Sequence, residues 1–337
     1  MVYLTGANGW LGLAVAEALG NKSDFLERGL RGLVLPGKGH EAITQVSPRM
    51  EIQEGNLVSG EGLAEFFRGG KDGVLVHTAG IIHPQKVREF YDVNRDGTRK
   101  LMKAAIRAGV RRAVVVSSNS PCGCNPHPDH LFDEDSPYHP YMNYGKSKME
   151  MEQLALDFHR RGEIEVVIVR APWFYGPHQP PRQRLFFERV RDGKAPIVGS
   201  GENLRSMAYT ENLAQGLLLA ASVPAASGQT YWIADERPYS MNEIVDTIER
   251  LLETEFGQKC AHKRMRLPGL ASEVALAADV VLQRLGLYQQ KIHVLSEMNK
   301  TIACSVEKAK RELGYRPTIA LEDGMRRGLA EIYSERN

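Results

Sequence analysis

The sequence predicts an α/β protein: a doubly wound parallel sheet followed by a smaller, mostly helical C-terminal lobe. Three observations predict it. Apolar runs of strand length alternate with helical stretches through the first half of the chain, the pattern of repeated strand–helix–strand units. The first run opens directly into Thr5-Gly6-Ala7-Asn8-Gly9-Trp10-Leu11-Gly12, a glycine turn between a strand and a helix. Beyond Arg170 the alternation fades and helical patterns dominate.

Taken in order, Met1-Val2-Tyr3-Leu4 is the first strand. The helix after the turn runs to about Leu19, with Leu11, Val15, Ala18 and Leu19 on one face. The three glycines do different things. Gly6 permits the sharp exit from the strand, Gly9 lets backbone approach a pyrophosphate, and Gly12 lets the helix lie close to the strand. The helix start, with Asn8, Trp10 and Leu11, offers unpaired N–H groups to phosphate. The spacing is G-x-x-G-x-x-G, and a plain tight strand–helix turn would use the same glycines.

Gly32-Leu33-Val34-Leu35 reads as the second strand. An acid at its end would hold the ribose 2′-hydroxyl of NAD, and a cation would take the 2′-phosphate of NADP. The sequence has Pro36-Gly37-Lys38 there, so Lys38 tilts the expectation to NADP over NAD. Met50 to Leu57, including Asn56, is a third strand and its exit loop. Val74 to His77 is the fourth, leading into Thr78-Ala79-Gly80, where small residues let a cofactor pass close. A helix is expected from Arg88 to Ala108, a fifth strand from Arg112 to Val116 ending in Ser117-Ser118, a helix from Tyr144 to Arg160, and a sixth strand from Glu165 to Val169. Ligands of such sheets sit beyond the strand C-terminal ends, where all these motifs fall. The Pro-rich, basic run Gly176 to Arg182 suggests a lobe connection. Helices at Ser240 to Glu253, Leu267 to Leu285, Val306 to Leu313 and Leu321 to Tyr333 would cover the substrate.

Composition sets the outer limits. A chain of 337 residues can bury about three-quarters of its surface. Its 42% hydrophobic and 25% charged content suits an ordinary soluble protein, and a net charge of +2 gives no reason to expect nucleic acid. Four cysteines without a secretory leader imply a reducing, cytoplasmic setting. No apolar run reaches the roughly 18 residues of a membrane-spanning helix. Leu267 to Tyr288 is interrupted by Glu273, Asp279, Gln283 and Arg284 and reads as an amphipathic helix.

Of the twelve tyrosines, only Tyr144 has a lysine four residues on, in Tyr144-Gly145-Lys146-Ser147-Lys148. On a helix, i and i+4 share a face, so the Lys148 ammonium would neighbour the phenol and lower its pKa from near 10. Tyr144 could then give or take an alcohol proton while hydride moves to or from nicotinamide.

With these motifs in place, the chain resembles the extended short-chain dehydrogenase/reductase family, the NAD-dependent epimerase/dehydratase superfamily, across nearly its whole length. The matching pieces are Thr5 to Gly12, His77-Thr78-Ala79, Asn94 with Gly97-Thr98, Ser117-Ser118, Tyr144 to Lys148, and Arg170 through Tyr175-Gly176-Pro177. The resemblance implies a Rossmann-type NAD(P)-binding domain over residues 1–171 and a substrate lobe over 172–337, some segments of which return to the first domain. It implies that Ser118 hydrogen-bonds the reacting carbonyl or alcohol and that Lys148 also holds the nicotinamide ribose. Asn56, Leu57, Ala79, Gly80 and Asn94 would line the cofactor, and Ala171-Pro172 would border the nicotinamide. Two departures stand out: Asn56 where members often carry aspartate, and Pro121-Cys122-Gly123 where Val-Tyr-Gly is usual.

Within the family the sequence is read as an oxidoreductase acting on a hydrophobic secondary alcohol or ketone, a small-molecule substrate, with a homodimer as the expected assembly. Bulky Trp173 stands where nucleotide-sugar members often have a diphosphate-binding asparagine, and the apolar helix near 267–285 resembles the 3β-hydroxysteroid dehydrogenase and sterol-decarboxylase branch. The alternative is a nucleotide-sugar epimerase or dehydratase with tightly held cofactor. A catalytically silent nucleotide-binding regulator is a third reading, disfavoured by the intact Ser118, Tyr144 and Lys148. Among the basic residues Arg182, Arg184, Arg189, Arg191 and Arg205, Arg205 aligns with a position that faces substrate. Cys122, Cys124, His127 and His130 have zinc-site composition, but Pro121, Pro126 and Pro128 stiffen the loop and no metal is expected.

Overall fold

A computed structural model describes residues 1–334. Its centre is a seven-stranded, all-parallel sheet built from β1 (Val2–Thr5), β2 (Leu30–Val34), β3 (Glu51–Glu54), β4 (Val74–His77), β5 (Arg112–Ser118), β6 (Glu165–Ala171) and the edge strand Thr230–Trp232. The spatial order is edge strand, β6, β5, β4, β1, β2, β3. The chain builds outward from β1 in one direction and from β4 in the other, so the crevice above β1 and β4 is the switch point where such sheets bind ligands. Registry puts Thr5 beside both Leu33 and His77, which brings the glycine turn next to the exit of β4.

Both faces of the sheet are covered, as parallel pairing requires. On one face Val2, Leu4, Val74, Val76 and Val114 meet Leu11, Val15 and Leu19 of the first helix (Trp10–Gly20) and Leu213 and Leu217 of the helix Thr210–Ser222. On the other, Tyr3, Leu75 and Val115 meet Leu101, Met102 and Ala105, and Met151, Ala155 and Phe158 of the helix Met142–Arg160. The helix Thr210–Ser222 and the edge strand come from chain beyond residue 171 and complete this sheet.

The remainder has its own core, in which Phe187, Val190, Ile197 and Met207 pack with Ile244, Ile248, Leu252, Met325 and Leu329. These residues come mainly from the helices Pro181–Arg191, Met241–Thr254 and Leu321–Tyr333. A helical hairpin, Leu270–Arg284 and Gln290–Glu297, lies over the start of the helix Met142–Arg160.

One expected element differs. The single helix expected from Arg88 to Ala108 is three pieces: Val87–Phe90, a π-helical turn Tyr91–Gly97, and Thr98–Arg107. The wider turn carries Asn94 inward. Its Oδ1 accepts from Ile81 N at 2.9 Å, and its Nδ2 donates to Ile81 O and Ser147 Oγ, both at 3.1 Å. Such π-turns are frequent at functional sites.

Candidate functional site

The glycine turn is sterically fixed. Gly6 has φ +66°, and a Cβ there would sit 3.0 Å from the Ala79 backbone. At Gly12 a Cβ would lie 1.9 Å from the Gly6 carbonyl oxygen, so the helix rests on the turn's own backbone. Gly9 is exposed, donates its N–H to Gly6 O at 2.8 Å, and caps the first helix with no side chain claiming the first N–H groups. That leaves donors and a positive dipole end for a phosphate. Leu11 is buried in the core, and Asn8 is partly exposed in the turn. Trp10 does something the sequence does not mark: its indole N–H donates to Pro177 O at 2.7 Å and its ring lies 4.9 Å from that of Phe174, tying the turn to the lobe connection.

A buried strut runs beneath the turn. Thr5 Oγ1 is 2.7 Å from His77 Nδ1, and His77 Nε2 is 2.8 Å from Thr98 Oγ1. Burial, helped by the nearby Lys148 charge, pushes the imidazole down to about 3, so the folded state keeps it neutral. The unfolded chain binds a proton at His77 near pH 6.5 and the folded chain does not, so this residue costs stability as pH falls below 6.5 toward 3. The slope is about 1.4 kcal/mol per pH unit. Urea unfolding at pH 7 and pH 5 should show this loss in the natural protein, and a smaller loss in His77→Gln. Equal losses in both would remove the histidine as the cause.

Along the cofactor edge, Lys38 is exposed in the turn after β2. The same turn holds an acid from the next strand: Glu54 accepts from Gly37 N at 3.3 Å and lies 3.6 Å from His40 Nε2. Asn56 Oδ1 is spent on its own loop, accepting from Val58 N at 2.8 Å and Ser59 N at 3.4 Å. Leu57 is buried where a Cβ at Gly97 would come within 3.0 Å of it. Gly80 is exposed, and a Cβ there would stand 3.1 Å from Asn94 Oδ1 and 3.9 Å from Lys148 Nζ. The absent side chain at Gly80 thus leaves space beside Asn94 and Lys148.

At the other end of that path, Ser118 closes β5, with Oγ 3.3 Å from Ser120 Oγ. Tyr144 is the third residue of the helix Met142–Arg160, close enough to Ser118 for that hydroxyl to hold its pKa down. Gly145 makes this approach possible, since a Cβ there would lie 2.4 Å from Ser120 O. Lys148, one turn on, is buried and donates to Val116 O at 2.8 Å.

The expected lowering of the phenol pKa is not what the structure gives. Burial pushes Tyr144 up to about 12, against the Ser118 hydrogen bond, and the Glu297 carboxylate pushes the same way. Lys148 is itself pushed down to about 8 by burial, partly offset by Glu152, and its ammonium turns to the β5 backbone rather than to the phenol. With its pKa pushed up to about 12, Tyr144 rests protonated at neutral pH in this structure.

Behind the site lies a buried ion pair that no local motif marks. Arg170 on β6 bonds Glu152 at 2.9 Å, with both side chains essentially sealed from water, and Tyr138 Oη donates to the same carboxylate at 2.8 Å. Above the site, Gln283 Oε1 accepts both Asn143 N at 3.1 Å and Asn143 Nδ2 at 2.8 Å, anchoring the residue before Tyr144 to the helical hairpin.

On the substrate side, Ala171 and Pro172 are buried at the end of β6. Trp173 is partly buried, with its ring edge-on to Phe186 at 5.7 Å. Arg205 is half-buried: Nη2 donates to the carbonyl of Glu297, the residue whose carboxylate Tyr144 feels, and Nε has no partner among the described residues. By contrast Arg184 pairs with Glu188, Arg191 with Asp192, and Arg189 is exposed on the same helix. Cys122 and Cys124 are thiols pushed up to about 11 by burial, and His130 bonds Asn125. Among the described residues no three metal-ligating side chains come together. None of the described helices is long and apolar enough to cross a membrane.

Comparison with known proteins agrees with this architecture. A Sinorhizobium fredii protein, the uncharacterised y4nL, is 51% identical over 98% of this chain and 94% of its own length. An Arabidopsis thaliana 3β-hydroxysteroid dehydrogenase/decarboxylase is 29% identical over 70% of this chain and 56% of its own. The solved structure of a Bacillus cereus UDP-glucuronic acid 4-epimerase in complex with NAD superposes with a TM-score of 0.78 at 21% identity, over 100% of this chain and 99% of that one. The sequence profile of the NAD dependent epimerase/dehydratase family matches residues 2–234. With its glycine turn, parallel sheet and Ser118–Tyr144–Lys148 cluster, this chain belongs to the NAD dependent epimerase/dehydratase family.

Proposed function

We propose that the chain is an epimerase or dehydratase acting on a sugar carried by a nucleoside diphosphate, with NAD retained through the cycle. This replaces the steroid-like substrate expected from Trp173. The observation that carries the reading is Arg205. A half-buried guanidinium whose Nη2 is held by the Glu297 carbonyl and whose buried Nε has no partner among the described residues is costly unless an acceptor reaches it. Phosphate oxygens match that fork, and a steroid has nothing to offer it. Trp173, meanwhile, sets its ring edge-on against Phe186. The full-length likeness to a UDP-glucuronic acid epimerase supports the same reading, whereas the sterol enzyme aligns over only 56% of itself.

Gly6, Gly9, Gly12, Asn8, Trp10 and Leu11 would hold the pyrophosphate end of the dinucleotide. Asn56 and Leu57 would lie at the adenine, and Ala79, Gly80, Asn94, Lys148, Ala171 and Pro172 along the ribose and nicotinamide. NAD bound there would supply an acceptor for the substrate's hydride that can also give it back. Ser118 would fix the direction of the hydrogen bond to the reacting oxygen, and Tyr144, as phenolate, would take the hydroxyl proton as hydride leaves and return it as hydride comes back. Glu54 sits in the turn with Lys38 and opposes a 2′-phosphate there, so the reading is NAD rather than NADP.

Two measurements test this. Mass spectrometry of the purified protein should find retained NAD. A thermal-shift panel should then show stabilisation by UDP-, GDP- or dTDP-sugars and none by steroids; a ligand at about 100 times its Kd adds about 2.7 kcal/mol. Retained NADP would reverse the cofactor assignment, and stabilisation by steroids alone would reverse the substrate class.

A further inference from the structure

The helix Leu270–Arg284 is amphipathic in the inverted sense. Its buried residues include Ser272, Asp279 and Gln283, each with a hydrogen-bond partner: Ser272 donates to Leu295 O at 2.8 Å, Asp279 bonds His293 at 2.7 Å, and Gln283 accepts from Asn143. Its apolar side faces outward. Leu270, Val274 and Val281 on the helix, and Leu285 at its C-terminal cap, are 69, 63, 57 and 71% exposed, at spacings of 4, 7 and 4 residues that keep them on one stripe. With Met265, Leu287 and Val294, seven of the twelve exposed large hydrophobic residues among those described fall between residues 265 and 294. Scattered exposed apolar residues need no explanation, but a contiguous stripe does.

We propose that this stripe docks on the surface of an anionic lipid bilayer, the helix lying in the interface with Leu270, Val274, Val281 and Leu285 among the acyl-chain ends. Charge selects that occupant. Residues 259–291 contain six lysines and arginines (259, 263, 264, 266, 284 and 291) against two acids. Both acids are committed, Asp279 to His293 inside the fold and Glu273 to Lys300. Of the six cations Arg264 is paired with Asp246 and Glu249, while Arg266, Arg284 and Lys291 are exposed and have no carboxylate partner among the described residues. An exposed apolar stripe in a cation-rich segment is the composition of an interfacial helix on anionic lipid.

A second copy of the chain suits the surface poorly. The stripe is a single convex helix about 22 Å long, too narrow for the roughly 800 Å² per partner that a stable interface covers. Docked on a bilayer, the helix stays held to the Tyr144 helix through Gln283 and Asn143.

The experiment is co-sedimentation of the full chain with sucrose-loaded vesicles, of phosphatidylcholine alone and of phosphatidylcholine with about 30% phosphatidylglycerol. The expected result is binding to the mixed vesicles, at least about tenfold weaker to the neutral ones and in 0.5 M salt. The triple variant L270E/V281E/L285E should lose vesicle binding by at least about tenfold. It should keep its melting temperature and NAD content, because the three side chains touch solvent and not the site. No binding of the natural protein to anionic vesicles overturns the proposal. So does light scattering that shows a dimer which the triple variant converts to monomer, with vesicle binding unchanged.

Discussion

Tyr144→Phe lowers turnover by about 10²–10⁴-fold while leaving cofactor binding in place. The ring itself is structural, lying 5.6 Å from that of Phe90, and phenylalanine keeps this contact. What disappears is the hydroxyl whose pKa Ser118 holds down and which we propose carries the proton to and from the reacting oxygen. Retained cofactor and melting temperature should match the natural protein, which separates lost chemistry from lost folding. Steady-state turnover within a few-fold of the natural protein would take Tyr144 out of the reaction.

The second large effect is on stability. Glu152→Ala leaves the Arg170 guanidinium buried beside Trp232 and Tyr138 without its counter-ion, and it orphans the Tyr138 hydroxyl. Removing one partner of such a pair costs about 3–5 kcal/mol, which would lower Tm by on the order of 10 °C. The cost comes from the stranded charge rather than from an intrinsically strong pair. The double replacement Glu152→Met with Arg170→Met should therefore recover most of the loss. Thermal unfolding of the three proteins decides it: a single variant that melts like the natural protein, or a double variant no better than the single, contradicts this account.

What is legible in the sequence follows from how local each constraint is. The glycine turn, the six strands from Val2 to Ala171 and the Tyr144–Lys148 spacing are each written within a dozen residues or fewer. Backbone sterics and periodicity fix them without help from the rest of the chain. The π-turn at Asn94 is not legible, because nothing in Tyr91 to Gly97 forbids an ordinary helix; its partners, Ile81 and Ser147, lie elsewhere in the sequence. The raised pKa of Tyr144 escapes for a similar reason. Spacing reveals the lysine four residues on but not the burial that outweighs it, nor Glu297, more than a hundred residues later. The amphipathic character of the helix near 267–285 is plain from sequence, but its orientation is not. Periodicity reports that two faces differ, and only the partners of Ser272, Asp279 and Gln283 show that the polar one is inside.

The return of residues 210–232 to the main sheet also governs how the chain can be made. When Ala171 leaves the ribosome, all six strands through β6 exist, yet β6 is an open edge. The face carrying Val2, Leu4 and Val76 still lacks Leu213, Leu217 and Trp232. At roughly 5–20 residues per second, the 61 residues from Ala171 to Trp232 take about 3–12 s to appear. For that interval the nascent chain presents a sticky sheet that its own sequence cannot yet shield. Expression of residues 1–171 alone makes the interval permanent, so the fragment should collect in inclusion bodies or on chaperones, whereas one extended through Trp232 has the pieces to close.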